Sequence, residues 1–355
     1  MCRTPLHGFL EKLPKCEHHI HLEGALSPSL LFQLASRNQI TLPQDDDAFS
    51  SHESLLARYA QFSSLDDFLH YYFIGMSVLV LEEDFEALAW DYFQHASADG
   101  VHHAEVFFDP QAHTARGISY TTVLTGFSAA RSRAERELGI STELICCFLR
   151  HLPAPECLAT FELEDVQASY ASGFIKGIGL DSNELGFPPH LFEEMYQKAG
   201  KLGLRRTAHA GEEGPASFIA SALETLGVER IDHGIRLVED VELMRKVVAS
   251  GTMLTTCPMS NVVLRCVESV KEVPIRKFLD AGVKFSINSD DPAYFGGYIL
   301  DNYCAVHEAH DLTIEDWERI CKHSIEGSWC NEARKNELST ILETLVSEWK
   351  YKSVE

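Results

Sequence analysis

The sequence predicts an α/β fold, a (β/α)8 barrel in which eight parallel strands close into a ring surrounded by helices. Three observations predict it. Eight short apolar runs each end in polar residues, and from the second run onward their starts lie about 25 to 40 residues apart. That spacing leaves room for a loop and a helix between strands. An open doubly wound sheet is the alternative, but the chain contains no Gly-x-Gly-x-x-Gly motif to favour it.

The eight apolar runs are the predicted strands. They span residues 16–22, 101–108, 143–149, 175–180, 206–210, 230–235, 253–257 and 283–288. Two of the segments between them have a clear helical period. Phe85, Leu88, Ala89 and Tyr92 fall at i, i+3, i+4 and i+7, and a similar pattern follows the Pro188-Pro189 pair.

The lengths of the connections predict one domain spanning residues 1–355. The segment after the first strand, residues 24–100, is too long for one crossover helix, so we expect inserted helices there that cover a barrel mouth. The tail beyond Ile314 has a helical pattern and should close the domain.

Composition excludes several classes of function. The chain has 30 basic and 53 acidic residues, a net charge of −23, and this field repels phosphate backbones and anionic lipid. We therefore predict no nucleic-acid partner and no membrane partner. The ten cysteines show no Cys-x-x-Cys pair, and the first fifteen residues show no secretory apolar run. These features predict reduced, mostly buried thiols and a cytoplasmic location, with nuclear entry and homo-oligomer formation left open.

Residues able to do chemistry gather after the predicted strands. His19 and His21 lie on one face of the first strand, while His18 points to the other face and is expected to be packed. Similar positions elsewhere carry His209-Ala-Gly-Glu212, Asp232-His233-Gly234 and Ser289-Asp290-Asp291-Pro292. In a barrel these strand ends form one surface. Imidazoles and a carboxylate that converge there suit a mononuclear Zn²⁺ site of a hydrolase.

These four motifs, in this order, resemble the adenosine/adenine deaminase family of the amidohydrolase superfamily along nearly the whole chain. Within that family the chain most resembles the fungal and bacterial adenine deaminases, through residues 14–19 and 290–298. The resemblance implies zinc-dependent hydrolysis of adenine to hypoxanthine and ammonia, a step of purine salvage, with one Zn²⁺ per chain and a purine base as substrate.

The resemblance also implies a role for each matching position. The metal ligands would be His19, His21, His209 and Asp290. Glu212 would be the proton shuttle, His233 would orient the attacking water and help to deprotonate it, and Asp291 would hold the purine. Protonation of purine N1 requires a neutral acid near pH 7, and burial would raise the pKa of Glu212 in that direction.

Three further residues are predicted to contact the substrate. Glu23 stands where nucleoside-selective relatives carry an aspartate for the sugar, and Ser182 and Glu184 stand where those relatives have a small turn beside purine N3. We expect these three side chains to exclude ribose, with Ser182 or Glu184 either filling the space of that turn or satisfying the N9–H that only the free base has.

Other interpretations remain at this point. Deamination of adenosine, of N6-substituted adenines or of their nucleotides is an alternative, and a non-catalytic purine-binding relative is another. The cytidine-deaminase type of zinc site is excluded because no Pro-Cys-x-x-Cys occurs. A stripe of Phe62, Leu65, Phe68 and Tyr72 fits either a gate over the purine or, as the favoured reading, helix packing.

Overall fold

The computed structural model describes residues 4–352 and contains an eight-stranded parallel sheet in which each strand pairs with the next along the chain. The strands are β1 (Lys15–Glu17), β2 (Val101–Phe108), β3 (Ser141–Leu149), β4 (Ile175–Asp181), β5 (Arg205–Ala210), β6 (Arg230–His233), β7 (Met253–Thr256) and β8 (Lys284–Ile287). A single bridge between Ile20 and Asp290 joins the two ends of the sheet. The ring is thus nearly closed, and the predicted (β/α)8 barrel is confirmed.

Helices surround the ring and fill the long connections. They are α1 (His7–Lys12), α2 (Pro28–Arg37), α3 (His52–Tyr59), α4 (Leu65–Met76), α5 (Glu82–Ala98), α6 (Pro110–Thr114), α7 (Tyr120–Glu137), α8 (Ala154–Phe161), α9 (Glu164–Ala171), α10 (Glu193–Lys201), α11 (Ala216–Ser221), α12 (Val241–Ser250), α13 (Pro258–Val263), α14 (Ile275–Ala281), α15 (Pro292–Phe295), α16 (Ile299–His310), α17 (Ile314–Gly327) and α18 (Glu332–Lys352). Within the described residues, none of these helices combines the length and apolarity needed to cross a membrane.

The first strand differs most from its prediction. The apolar run at 16–22 predicted one continuous strand, but β1 ends at Glu17, and only isolated bridges follow, at Ile20 and His21. The cause is a side chain that replaces a strand partner: the His18 N–H donates to Asn288 Oδ1 at 2.8 Å. The ladder is therefore interrupted where the chain turns its histidines toward the barrel mouth.

The segment 24–100 holds helices α2 to α5. Helix α4 lies at the barrel mouth, whereas α5 packs along α7 on the outside of the ring. The first helical stripe of the sequence lies in α5, where Phe85, Leu88, Ala89 and Tyr92 are all fully buried. The tail beyond Ile314 is helical as predicted and forms α17 and α18, with α17 packed against β8.

A charged cluster lies inside the ring, at the end opposite the mouth residues described below. Arg230 Nη1 donates to Glu105 Oε2 at 2.5 Å, both side chains are at most 1 % exposed, and the guanidinium lies 4.0 Å from the Trp329 ring. Burial alone would raise the pKa of Glu105, but Arg230 and His103 hold it well below its usual range. The cluster stabilises the fold because each buried charge has its partner.

Breaking this pair should destabilise the protein strongly. We expect Arg230→Met to lower the free energy of unfolding by about 3–5 kcal/mol, since the Glu105 charge stays buried and unpaired. Because the pKa of Glu105 is lowered on folding, its contribution is present above the unfolded pKa of about 4.3 and is lost as the pH falls. Urea denaturation at pH 7 measures the loss. The exposed Arg245→Met is the matched control and should leave stability nearly unchanged; equal results for both variants would contradict the assignment.

Candidate active site

A cavity opens at the carboxyl ends of the strands. Its walls combine titratable groups from several strand ends with apolar side chains from α4. The lining residues are His21, Leu65, Phe68, Leu69, Tyr72, Asp109, Leu149, Asp181, Ser182, His209, Glu212, His233, Leu264, Asp290 and Asp291. This mixture of apolar walls and a few convergent polar groups is typical of a site for a small molecule.

Three imidazoles turn their Nε2 atoms toward one point in this cavity. His19 Nε2 lies 3.0 Å from Asp290 Oδ1, His21 Nε2 lies 3.5 Å from the same oxygen, and His21 Nε2 lies 3.3 Å from His209 Nε2. His19 Nε2 is buried and has no hydrogen-bond partner. Nitrogen and oxygen lone pairs that converge without donors between them suit a divalent cation such as zinc.

The other ring nitrogen, Nδ1, of each of these three histidines lies close to a side-chain oxygen. Thr255 Oγ1 lies 2.9 Å from His19 Nδ1 and donates to Asp232 Oδ1, so the hydroxyl must accept from the imidazole. The hydrogen atom of His19 therefore sits on Nδ1 and leaves Nε2 free as a ligand. Asp232 Oδ2 also lies 3.5 Å from His209 Nδ1, which fits the carboxylate–histidine arrangement common around bound metals.

A fourth histidine lies close enough to belong to the same group. The ligand atoms of His19, His209, His233 and Asp290 all lie within 4.8 Å of one another, so distance alone selects His233 where the sequence selects His21. The groups beside the other ring nitrogen, Nδ1, distinguish His21 from His233. His21 Nδ1 lies 3.5 Å from a carboxylate, Asp181 Oδ2, whereas His233 Nδ1 lies 3.4 Å from the amide nitrogen of Asn261.

Three mouth residues adopt a left-handed backbone conformation, which side chains other than glycine rarely do. The φ angles are +72° for Ser182, +60° for His233 and +66° for Asp290. At Asp290 two backbone hydrogen bonds of 3.0 Å to the first-strand segment, one at His19 and one at His21, hold this conformation. Such strain gathers at functional sites, where the surrounding structure enforces it.

Glu212 is held as a neutral acid beside the histidines. Burial, and then the nearby charges of Asp290 and Glu184, raise its pKa well above the usual range. Its Oε2 lies 3.4 Å from His233 Nε2. The pKa of His233 is lowered well below its usual range, chiefly by burial, so the imidazole is neutral at pH 7. The pair can therefore supply one proton and accept another.

The loop that carries Glu212 is anchored by Glu184. The Glu184 carboxylate accepts hydrogen bonds from the backbone N–H groups of Gly211, Glu212 and Gly214, at 2.7 to 3.2 Å. Its side chain is fully buried and does not line the cavity. Its contacts thus make it a support for Glu212 rather than a group that faces a ligand.

The other two residues predicted to exclude ribose lie in different places. Ser182 lines the cavity, and its Oγ lies 2.7 Å from His151 Nδ1. Glu23 lies outside the lining, fully buried, where its Oε1 accepts from the Asp109 N–H at 3.1 Å and lies 2.9 Å from His113 Nε2. In this geometry Glu23 therefore does not reach a sugar bound in the cavity.

Asp291 faces the cavity beside the converging side chains of His19, His21, His209 and Asp290. Burial, and then the charges of Asp290 and Asp109, raise its pKa well above the usual range. Its Oδ1 is buried without a partner. A neutral carboxyl placed in this way can donate a hydrogen bond to an acceptor on a ligand.

The position of Asp291 depends on Gly24. A Cβ at residue 24 would collide with the carboxyl and the backbone of Asp291. We expect Gly24→Ala to displace this carboxyl and to lower kcat/KM about 100-fold, since a small misplacement of a positioning group has an effect of that size. Steady-state kinetics check this expectation. Gly8→Ala, where an added Cβ meets only Trp349 at an ordinary van der Waals distance, is a control for the loss of a glycine, and equal losses in both variants would contradict the expectation.

The remaining sequence hypotheses divide between packing and the cavity. Leu65, Phe68 and Tyr72 line the cavity, so the stripe does cover the mouth, but Phe62 packs on Tyr59 outside it. His18 is packed as predicted, with its ring nitrogens 3.1 and 2.8 Å from two serine hydroxyls. Seven of the nine cysteines among the described residues are buried, and none of the nine forms a disulfide bond; Cys2 lies outside the described residues.

Sequence reasoning missed roles that the structure makes evident. Asp109 and Asp181 line the cavity, Asp232 supports two histidines, and Asn261 lies 3.4 Å from both Glu212 Oε1 and His233 Nδ1. Asp109 and Asp181 do share one signal with the predicted ligands: each directly follows an apolar run. Asn261 follows no strand and gave no such signal.

Comparison with known proteins agrees with this geometry. The family model described as adenosine deaminase matches residues 14–345. An adenine deaminase of Aspergillus fumigatus is 62 % identical over 340 residues, which cover 95 % of this chain and 96 % of the relative. The crystal structure of adenine deaminase from Arthrobacter aurescens superimposes with a TM-score of 0.88 at 42 % identity, covering 96 % of this chain and 99 % of that chain.

A further structure bears on the metal group. An amidohydrolase from Burkholderia ambifaria, solved with bound Zn, has a TM-score of 0.84 and 27 % identity, with 98 % of each chain covered. The family match and the high identities extend over nearly the whole chain, and the barrel is the fold that the sequence predicted. The chain therefore belongs to the adenosine deaminase family.

Proposed function

We propose that this protein hydrolyses adenine to hypoxanthine and ammonia, with one zinc ion held by His19, His21, His209 and Asp290. The reaction would serve purine salvage. The adenine deaminase names of the relatives in Aspergillus and Arthrobacter support this substrate. The metal is supported by the converging ring nitrogens, among which His19 Nε2 has no hydrogen-bond partner and His21 Nε2 lies 3.3 Å from His209 Nε2. When bound, zinc acts as a Lewis acid and makes hydroxide available near pH 7.

The observation that carries the choice of substrate is a pair of neutral carboxyl groups in one cavity. Glu212 and Asp291 both have pKa values well above the usual range, mainly through burial. Adenine has hydrogen-bond acceptors, N1 and N7, on both sides of its reacting carbon C6. Two carboxyl donors match those acceptors, whereas guanine presents a donor at N1 and would leave Glu212 opposed.

The side chains then divide the reaction between them. Glu212 gives its proton to N1 as the ring loses aromaticity at C6, and Asp291 holds N7 so that C6 faces the histidines. His233, kept neutral by burial, orients the attacking water and accepts a proton from it. His233 returns that proton to the leaving nitrogen, which departs as ammonia. The Glu212 carboxylate takes the proton of the new C6 hydroxyl, so the oxo product forms and Glu212 is protonated again. Leu65, Phe68 and Tyr72 cover the mouth and exclude bulk water.

A substrate panel tests the proposal. We expect ammonia release from adenine to exceed that from adenosine, AMP and N6-methyladenine, and to disappear with a chelator. Faster turnover of adenosine would overturn the assignment to the free base. Stoichiometric zinc without turnover of any member of the panel would identify a purine-binding protein instead.

A further inference from the structure

Two further carboxyl groups lie in the cavity, Asp181, whose Oδ2 is 3.5 Å from His21 Nδ1, and Asp109, which has no part in the chemistry above. Asp109 follows β2 and begins α6, and Asp181 is the last residue of β4. Both line the cavity, and each residue is only 2 % exposed. Their atoms and a nitrogen of His21 lie within 4.8 Å of one another. They therefore form a second polar wall, next to the metal group and across His21 from Asp290.

Their oxygens lack the partners that buried carboxyl groups normally have. Asp109 Oδ1 and both side-chain oxygens of Asp181 have no hydrogen-bond partner. The Tyr72 hydroxyl reaches Asp109 Oδ2 only at 3.4 Å, and among residues 4–352 no lysine or arginine forms an ion pair with either group. A desolvated oxygen without a donor costs free energy, which a donor on a bound ligand would recover.

The backbone of Asp109 is held in place from behind the cavity. Glu23 Oε1 accepts the Asp109 N–H at 3.1 Å and is itself held 2.9 Å from His113 Nε2. These contacts fix the backbone that carries the Asp109 carboxyl. Glu23, for which the sequence predicted a contact with the substrate, therefore affects the cavity through Asp109.

Neighbouring acids act on both carboxyl groups. Burial, and then repulsion by Asp109, raise the pKa of Asp181 well above its usual range, and burial, then repulsion by Glu23, raise the pKa of Asp109 to about 7. The charge of Asp109 also contributes to the raised pKa of Asp291, which places the two groups near each other around the cavity.

These placements match one more edge of the substrate. Asp291 holds N7, and N9 belongs to the same five-membered ring, separated from N7 by one carbon. In the free base N9 carries a hydrogen atom, and in a nucleoside it carries the sugar. We propose that the Asp109 carboxylate accepts a hydrogen bond from N9–H of adenine and so makes the protein selective for the free base over 9-substituted purines. This inference rests on the proposed function.

The consequence is a specificity that needs no clash with the sugar itself. A 9-substituted purine would leave the buried Asp109 oxygen without a partner, and sites built to hydrogen-bond one group reject analogues without it by large factors. Glu23 and His113 contribute by keeping the carboxyl in place.

The test compares adenine with 9-methyladenine, the smallest analogue that lacks N9–H. We expect wild type to prefer adenine by at least about 1000-fold in kcat/KM. Asp109→Ala should lose about 10- to 100-fold on adenine, mainly through KM, and should gain activity on 9-methyladenine, because no unpaired carboxyl then opposes this analogue. Asp109→Asn, which keeps an acceptor without charge, should fall between them. Glu213→Gln, at a half-buried acid outside the cavity lining, should keep the wild-type preference.

A purely structural role for Asp109 predicts another result. The variant would then lose activity on both substrates by the same factor, and an unchanged preference would overturn the inference while leaving adenine deamination intact. A wild type that releases no ammonia from adenine would overturn both proposals. Calorimetric binding of hypoxanthine and 9-methylhypoxanthine to Asp109→Asn supplies a readout without turnover; equal affinity losses for the two ligands would also overturn the inference.

Discussion

Glu212→Gln should lower kcat about 100- to 10,000-fold while the protein stays folded and keeps its metal. The amide has the same shape as the neutral acid but has no proton to give to N1. The lost interaction is made only in the transition state, so KM for adenine should change little. The measurements are the rate of ammonia release and the zinc content of the variant beside wild type. A strongly reduced rate with unchanged zinc content is the expected result.

The pH profile adds a sign to this prediction. Because burial raises the pKa of Glu212, the wild-type enzyme keeps the required proton at neutral pH and loses it as the pH rises through that pKa. The residual activity of Glu212→Gln should lack this alkaline fall. Glu213→Gln is the neighbouring control: Glu213 lies outside the cavity lining, but its charge helps to raise the pKa of Glu212, so this variant should keep the alkaline fall and show it at a lower pH. An equal loss of kcat in both variants would mean that Glu212 is not the proton donor.

Removing the metal should abolish activity, and zinc should restore it. Substitution of Asp232 tests the arrangement of the metal ligands without removing one of them. Asp232 supports His209 directly and His19 through Thr255. We expect Asp232→Asn to weaken zinc affinity about 10- to 100-fold, as loss of such supporting partners does. Competition with a chromophoric chelator measures this affinity.

A histidine outside the metal group provides the control. His18→Gln alters an imidazole next to His19 whose ring nitrogens face Ser286 and Ser328 and not the cavity. Its zinc affinity should match wild type once folding is verified by thermal unfolding. Loss of zinc from this variant, with none from Asp232→Asn, would mean that the metal lies elsewhere.

Much of the site was evident in the sequence because barrel geometry converts order along the chain into proximity. Parallel strands place their carboxyl ends on one surface, so His19, His209 and Asp290 could be expected to meet although they lie far apart in the chain. The same reasoning placed Glu212 and His233 at the mouth. The alternation of strand side chains separated His19 from His18.

Other features depend on contacts that no spacing encodes. Glu23 and Glu184 looked like groups for the substrate, yet both are buried behind the wall and bind backbone amides. A carboxylate after a strand can face the ligand or the next loop, and packing decides between them. The interruption of β1 similarly depends on the Asn288 side chain.

The sequence by itself determined the strand order, the barrel and the set of groups gathered at its mouth, since hydrophobic periodicity and strand-end position are local properties. The tertiary structure alone decided which nitrogen of each imidazole faces inward, which acids are held neutral and which carboxyl is left without a partner. Those properties come from burial and from neighbours on other strands, and burial sets the cost of charge.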